Sequence, residues 1–254
     1  MILAVHIGNS LLEIGFFDRP QWTISRLSAH RGMTADDALL ALHALSAMRG
    51  APVSIEEAIL SSVSPGLTPV LCEAIERYAG LRPLVVGPGV KTGLNIKIND
   101  PSELGADLVC LSAGVLAKYR PPILLVQAGS ATTLSYLDAQ GGFLGTIITA
   151  GTRHMLDSLV RHADLLNPVA LRPPAKLLGT DSVESMQSGV LLGCAEMIDG
   201  LSRRIMAQHP VETAVMTGAL ADTLLPHCRT AFVKDDTLLF DGMAAILERQ
   251  RKRS

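Results

Sequence analysis

Short, nearly continuous apolar runs alternate with longer stretches of helical period along this chain. "ILAVHI", "AILSSV", "PLVVG", "PILLVQA" and "TAVMTG" read as strands buried on both faces. "ADDALLALHALSAMRG", "SELGADLVCLSAGVLAKY" and "SVESMQSGVLLGCAEMIDGLSRRIM" read as helices, and "DGMAAILERQRK" as a further amphipathic one. The alternation predicts an α/β architecture with buried sheets.

The two halves repeat one pattern. Residues 2–18, "ILAVHIGNSLLEIGFFD", and 123–138, "ILLVQAGSATTLSYLD", each give a buried strand, a glycine with small polar residues, a second apolar strand and an aspartate turn. Gly8 precedes Asp18 by ten residues and Gly129 precedes Asp138 by nine. A third strand follows in each case. The expectation is a duplicated fold whose two Gly-polar hairpins face a cleft, with lobes at 1–119 and 120–254 and the joint at "YRPP". Such turns aim backbone N–H groups and hydroxyls at phosphate, and carboxylates at the strand ends then hold Mg²⁺. Actin-like sugar kinases and acetate kinases are similar in this arrangement. No GxxxxGK[ST] or G-x-S-x-G stretch is present, so neither a P-loop nor a hydrolase elbow is expected.

Composition narrows the picture. The 254 residues are 48% hydrophobic, enough for a large core. A net charge of −2 gives no reason to expect nucleic acid, and the basic "RQRKRS" reads as a solvated tail. Cys72, Cys110, Cys194 and Cys228 are widely spaced, as reduced thiols in a cytosolic protein would be. "MILAV" follows no basic leader, and no apolar run approaches the roughly 20 residues of a spanning helix. A soluble cytoplasmic protein without a membrane partner is expected.

"NDPSELGAD" offers Asp100 as N-cap, Pro101 at the first helical position and Glu103 as a capping acid, with Asp107 on the same helix face as Glu103. Spacing alone leaves Asp107 as a solvated helix aspartate or as a cleft carboxylate that accepts a proton during phosphoryl transfer. "DSVESMQSGVLLG" repeats the logic with Asp181 as N-cap and Glu184. There Gln187 and Ser188 interrupt the apolar face, as surface residues or as polar contacts at a subunit junction. The turn "MTGAL", with Gly218, would allow close approach to a base or ribose. His154 and His162 are too irregularly placed for a metal and read as part of a basic helix face.

With these motifs in order, "GNS" (8–10), "SSVSPGLTP" (61–69), "VVGPGVKTGL" (85–94), "NDPSELGAD" (99–107), "GSATT" (129–133), "ESMQSGVLLG" (184–193) and "TGALA" (217–221), the chain resembles the type III pantothenate kinases. The resemblance implies a duplicated actin-like fold of the ribonuclease H-like kind. It also implies a homodimer joined through the helix from Ser182, and ATP-dependent phosphorylation of pantothenate at the start of coenzyme A synthesis, with Mg²⁺ and a monovalent cation such as K⁺. It makes Asp107 the general base. Gly8, Asn9, Ser10, Gly129, Ser130, Thr132, Thr133 and Gly218 become nucleotide contacts, and Ile98, Gly105, Leu108 and Ser182 substrate positions.

Departures from the family pattern fall at chemically loaded places. His6 and Gln127 stand where D-x-G-N-T and D-F-G-T-A-T-T carry metal-facing aspartates. Leu108 replaces the arginine of G-A-D-R, Ile98 a tyrosine, and Asp181-Ser182 an Asn-Thr pair. "GTIITAG" lacks one glycine and the proline of G-G-x-I-x-P-G. A neutral amide and an imidazole are poor magnesium ligands, although a protonated His6 would meet a phosphate directly. Two further readings follow: a silent paralogue that binds nucleotide or a pantothenate-like ligand in a regulatory role, and a kinase for another small hydroxylated substrate.

Overall fold

In chain order, the computed structural model runs through β1 (Ile2–Ile7), β2 (Leu11–Asp18), β3 (Gln21–Ser28), α1 (Ala35–Ala47), β4 (Glu57–Ser62), α2 (Thr68–Ala79) and β5 (Leu84–Val85). Next come β6 (Asn95–Ile96), a 3-10 turn at Pro101–Glu103 and α3 (Ala106–Lys118). The remainder is β7 (Ile123–Ala128), β8 (Ala131–Leu137), β9 (Gly142–Ala150), α4 (Thr152–His162), α5 (Ser182–Gln208), β10 (Thr213–Thr217), α6 (Ala221–Leu224), β11 (Val233–Lys234) and α7 (Leu238–Arg251). The structure describes residues 1–50 and 54–252, so the end of the basic run "RQRKRS" lies outside it.

Two units emerge. The first holds Met1–Leu94, Asn99–Lys118 and the chain from Thr237 onward; the second holds Asn95–Ile98 and Tyr119–Asp236. Their sheets share a topology: β3-β2-β1-β4-β5 in one, and β9-β8-β7-β10-β11 in the other, with β6 added beyond β9. In each, the first three strands are antiparallel and the next two parallel. The internal repeat is therefore a repeat of fold, an α/β duplication of the actin-like kind.

In the first unit, Leu3, Val5 and Ile7 of β1 pack with Leu12, Ile14 and Phe16 of β2 against Leu42, Leu71 and Ile75 of α1 and α2. The period of two sends Ala4 and His6 to the opposite face, which α3 and α7 cover. Those helices meet backbone to backbone: a Cβ on Gly242 would sit 1.8 Å from the Cys110 carbonyl oxygen, and one on Gly114 2.1 Å from that of Leu238. Phe240 presses onto Gly15, where a Cβ would come within 2.6 Å of its ring. This packing corrects the expectation that residues 120–254 stay together, because α7 returns to the first unit.

Two further expectations change. "PLVVG" forms only the two-residue β5. The helix expected from Asp100 is broken: Asp100 accepts a hydrogen bond from Ser102 N at 2.9 Å and caps only the 3-10 turn, after which Gly105 interrupts the chain and α3 begins at Ala106. Glu103 and Asp107 thus lie on separate elements. In the second unit, Leu124, Val126, Ala128 and Leu134 pack against Leu191, Cys194 and Ile198 of α5. No helix among the described residues is long and apolar enough to cross a membrane.

Candidate functional site

His6 is the penultimate residue of β1, two before Gly8. In the parallel register it lies opposite Ser61 of β4, and its Nδ1 and the Ser61 Oγ are hydrogen-bonded at 3.1 Å. Its other ring nitrogen, Nε2, lies 3.5 Å from where a Gly8 Cβ would stand, so the ring reaches from β4 to the edge of the Gly8-Asn9-Ser10 turn. That turn is closed by Gly8 N donating to Leu11 O at 2.9 Å, and Asn9 and Ser10 are exposed. Burial pushes the His6 pKa down, against the opposing fields of Glu13 and Asp107. The neutral imidazole is favoured.

Asp107 is the second residue of α3, shares a helix face with Cys110 and Gly114, and is half-buried. Its Oδ1 folds back to 2.6 Å from the position of a Gly105 Cβ, space that only glycine leaves open. Cys110, one turn on, is hydrogen-bonded to Ser61, and burial pushes its thiol up to about 12. His6, Ser61, Cys110 and Asp107 thus form one polar track leading from the sheet to the α3 N-terminus. Leu108, expected to touch substrate, is instead buried in the packing of α3.

The second unit repeats the turn. Gly129 N donates to Ala131 O at 3.1 Å, and Gln127 occupies the place of His6, its Oε1 accepting from Thr133 Oγ1 at 3.5 Å. Gly218, at φ +105°, lies against the end of β7, where a Cβ would be 2.5 Å from Ala128 O. Gly218 thus lies beside the Gly129-Ser130 turn at the end of β7. Thr132 does not join them by its hydroxyl: it shares the sheet face of Leu134, which packs on α5, and its buried Oγ1 has no hydrogen-bond partner.

A residue that the sequence reading set aside joins this turn. Gly151 N donates to Ser130 O at 3.1 Å, and His154, in the first turn of α4, places Nδ1 2.7 Å from the same carbonyl oxygen. The signal available was only its position three residues after the glycine of "GTIITAG". Ser182 lines a cavity of about 480 Å³ with Leu159, Thr180, Asp181 and Met186, and Ile98 is not part of that lining. Asp181 caps α5 through Glu184 N at 2.8 Å. Gln187 donates to the carbonyl oxygen of Ala170 and Ser188 to that of Leu177, which ties the preceding strap to α5.

Magnesium prefers hard anionic oxygen. His6 and Gln127 offer an imidazole tied to Ser61 and a neutral amide oxygen, so these positions do not fit the ion. Among the described residues, no group of three His, Cys, Asp or Glu side chains is placed to hold a metal.

The sequence model of the type III pantothenate kinases matches residues 2–204. This chain belongs to that family. A type III pantothenate kinase of Pelobacter propionicus is 34% identical over 99% of this chain and 100% of its own length. One from Exiguobacterium sibiricum is 33% identical over the same shares. Among solved structures, the activator of the 2-hydroxyisocaproyl-CoA dehydratase from Clostridium difficile, with bound ADPNP, superposes with a TM-score of 0.60 at 13% identity, covering 100% of this chain and 98% of that one. Component A of the (R)-2-hydroxyglutaryl-CoA dehydratase from Acidaminococcus fermentans gives 0.57 at 12% identity, covering 100% and 99%. This pantothenate kinase family member therefore shares its fold with these two distant proteins.

Proposed function

We propose that this chain phosphorylates pantothenate with ATP, the opening step of coenzyme A synthesis, as a cytoplasmic homodimer. The observation that carries the reading is Asp107: a half-buried carboxylate at the start of α3, folded back over Gly105. It accepts the proton of the pantothenate hydroxyl. The hydroxyl oxygen forms its bond to the γ-phosphorus as the bond to the β,γ-bridging oxygen breaks, and ADP leaves.

Asn9, Ser10, Ser130 and Thr133, with the turns that Gly8, Gly129 and Gly218 shape, supply phosphate and nucleotide contacts. Leu165, Leu177 and Leu178, with Val183 at the start of α5, leave exposed apolar surface on the second unit that another copy of the chain would cover.

The test is a coupled ADP-release assay with ATP, pantothenate, Mg²⁺ and K⁺. Pantothenate-dependent turnover is expected, falling at least about a hundredfold in Asp107→Asn with the melting temperature unchanged. A wild-type protein that binds ATP and releases no ADP overturns the proposal. Sedimentation of the pure protein at monomer mass overturns the dimer.

A further inference from the structure

A buried ring nitrogen in the first unit lacks a partner. His6 is 5% exposed, and its Nδ1 and the Ser61 Oγ meet at 3.1 Å. Nε2 lies toward the Gly8-Asn9-Ser10 turn, 3.5 Å from where a Gly8 Cβ would stand, and has no hydrogen-bond partner among the described residues. Buried polar atoms are nearly always hydrogen-bonded, so an unmatched nitrogen aimed at a turn with exposed Asn9 and Ser10 calls for a ligand atom.

The partner that Nε2 takes depends on its proton, and the neighbours of Nδ1 settle where that proton is. The Ser61 hydroxyl has one proton to give and two groups hydrogen-bonded to it, the His6 imidazole and the Cys110 thiol. An unprotonated imidazole nitrogen accepts well and a thiol sulfur weakly. Ser61 therefore donates to Nδ1 and accepts from the Cys110 S–H, which burial keeps protonated. With Nδ1 accepting and the ring neutral, the single ring proton sits on Nε2. The carboxylates around the ring are otherwise placed. Glu13, opposite His6 on β2, is held by Arg26 Nε at 2.7 Å, and Asp107 Oδ1 folds back over Gly105.

We propose that neutral His6 binds nucleotide at the Gly8-Asn9-Ser10 turn, its Nε2–H donating to a phosphate oxygen in a direction set by the hydrogen-bond chain Cys110–Ser61–His6. The inference rests on the nucleotide reading given above. A neutral donor needs no proton uptake when the ligand arrives, and an ionised oxygen as acceptor makes the bond one of the stronger kinds. Ser61 and Cys110 are fully buried and act through the ring as positioning residues.

Nitrogen NMR of the full chain, isotope-labelled at histidine, reads the tautomer; the His6 signals are those lost in His6→Gln. At neutral pH the proton is expected on Nε2, and ATP with Mg²⁺ is expected to shift that nitrogen. Ser61→Ala removes the group that fixes the tautomer, so a mixture of Nδ1–H and Nε2–H rings is expected. Calorimetric titration with ATP and Mg²⁺ gives the affinities. His6→Leu is expected to weaken binding about tenfold or more. His6→Gln, whose amide can donate near the place of Nε2, is expected to stay within about threefold of wild type. A wild-type ring with its proton on Nδ1 overturns the inference, as does a His6 signal that ATP leaves unmoved. These two readings decide the matter even where His6→Leu does not fold. A His6→Leu protein that binds like wild type, or a His6→Gln protein as weak as His6→Leu, also overturns it. A Ser61→Ala protein that keeps the wild-type tautomer overturns the positioning chain. All of these leave the kinase reading to stand on ADP release, whereas absence of ATP binding by the wild type overturns the nucleotide reading as well.

Discussion

The imidazole of His6 and the hydroxyl of Ser61 meet at 3.1 Å across the parallel pairing of β1 and β4, beneath α3. The contact gives a buried polar ring one partner and sets its direction, with Nε2 toward the Gly8 turn. A residue that looks out of place beside the Gly8-Asn9-Ser10 turn is thus a fixed part of the first unit's interior. Its protonation state becomes a property of folding.

Burial lowers the His6 pKa below its ordinary 6.5, although Glu13 and Asp107 pull the other way. The unfolded chain takes up this proton as pH falls through about 6.5, and the folded chain resists until lower pH. Stability from neutral His6 is therefore complete above that range and lost below it, at up to about 1.4 kcal/mol per pH unit. Urea denaturation from pH 7.5 to 5 is expected to show this slope, and His6→Gln to flatten it. Equal slopes in both proteins would remove His6 as the cause.

Gly105→Ala places a methyl group 2.6 Å from the Asp107 carboxylate oxygen. The carboxylate must turn away, so kcat is expected to fall at least about tenfold with a melting temperature within a few degrees of wild type. Unchanged steady-state kinetics would show that the folded-back position of Asp107 is not used.

Much of this fold was legible because the strands are nearly pure apolar runs, and the repeat showed in the spacing of Gly8 and Gly129 from their aspartates. The Asp181 cap of α5 was equally plain. What the pattern hid depends on pairing between distant segments. Nothing near His6 states that β4 will place Ser61 opposite it, and nothing near His154 states that its partner is the Ser130 carbonyl. Thr132 misled because a motif names residues without naming the sheet face each occupies. The Asp100 capping motif is real, yet Gly105 confines it to one 3-10 turn.

Gly242→Ala forces a methyl group into the space held by the Cys110 carbonyl, 1.8 Å away, on a helix that cannot yield without separating from α3. A loss of about 2–4 kcal/mol is expected in chemical denaturation, beyond the cost of ordinary overpacking because the clash is with backbone. Gly189→Ala, with open space around the new methyl, serves as the control and should cost less than about 0.5 kcal/mol.

Asp199 is fully buried in α5 and accepts hydrogen bonds from the backbone N–H groups of Arg229 and Thr230 at 2.6 and 2.9 Å. Asp199→Ala leaves both donors unsatisfied and should destabilise the protein by about 2–4 kcal/mol. Amide hydrogen exchange is expected to rise first at Arg229 and Thr230; protection retained there would place the stabilising role of Asp199 elsewhere.

The return of α7 to the first unit reverses the order in which the chain matures. Tyr119–Asp236 is synthesised whole before α7 exists, while α3 waits with its glycine-lined face uncovered. The part of the protein that is begun first is therefore finished last. A cut or premature stop after Asp236 damages the N-terminal half of the sequence, leaving Asp107 on a helix that has lost its backbone-to-backbone partner.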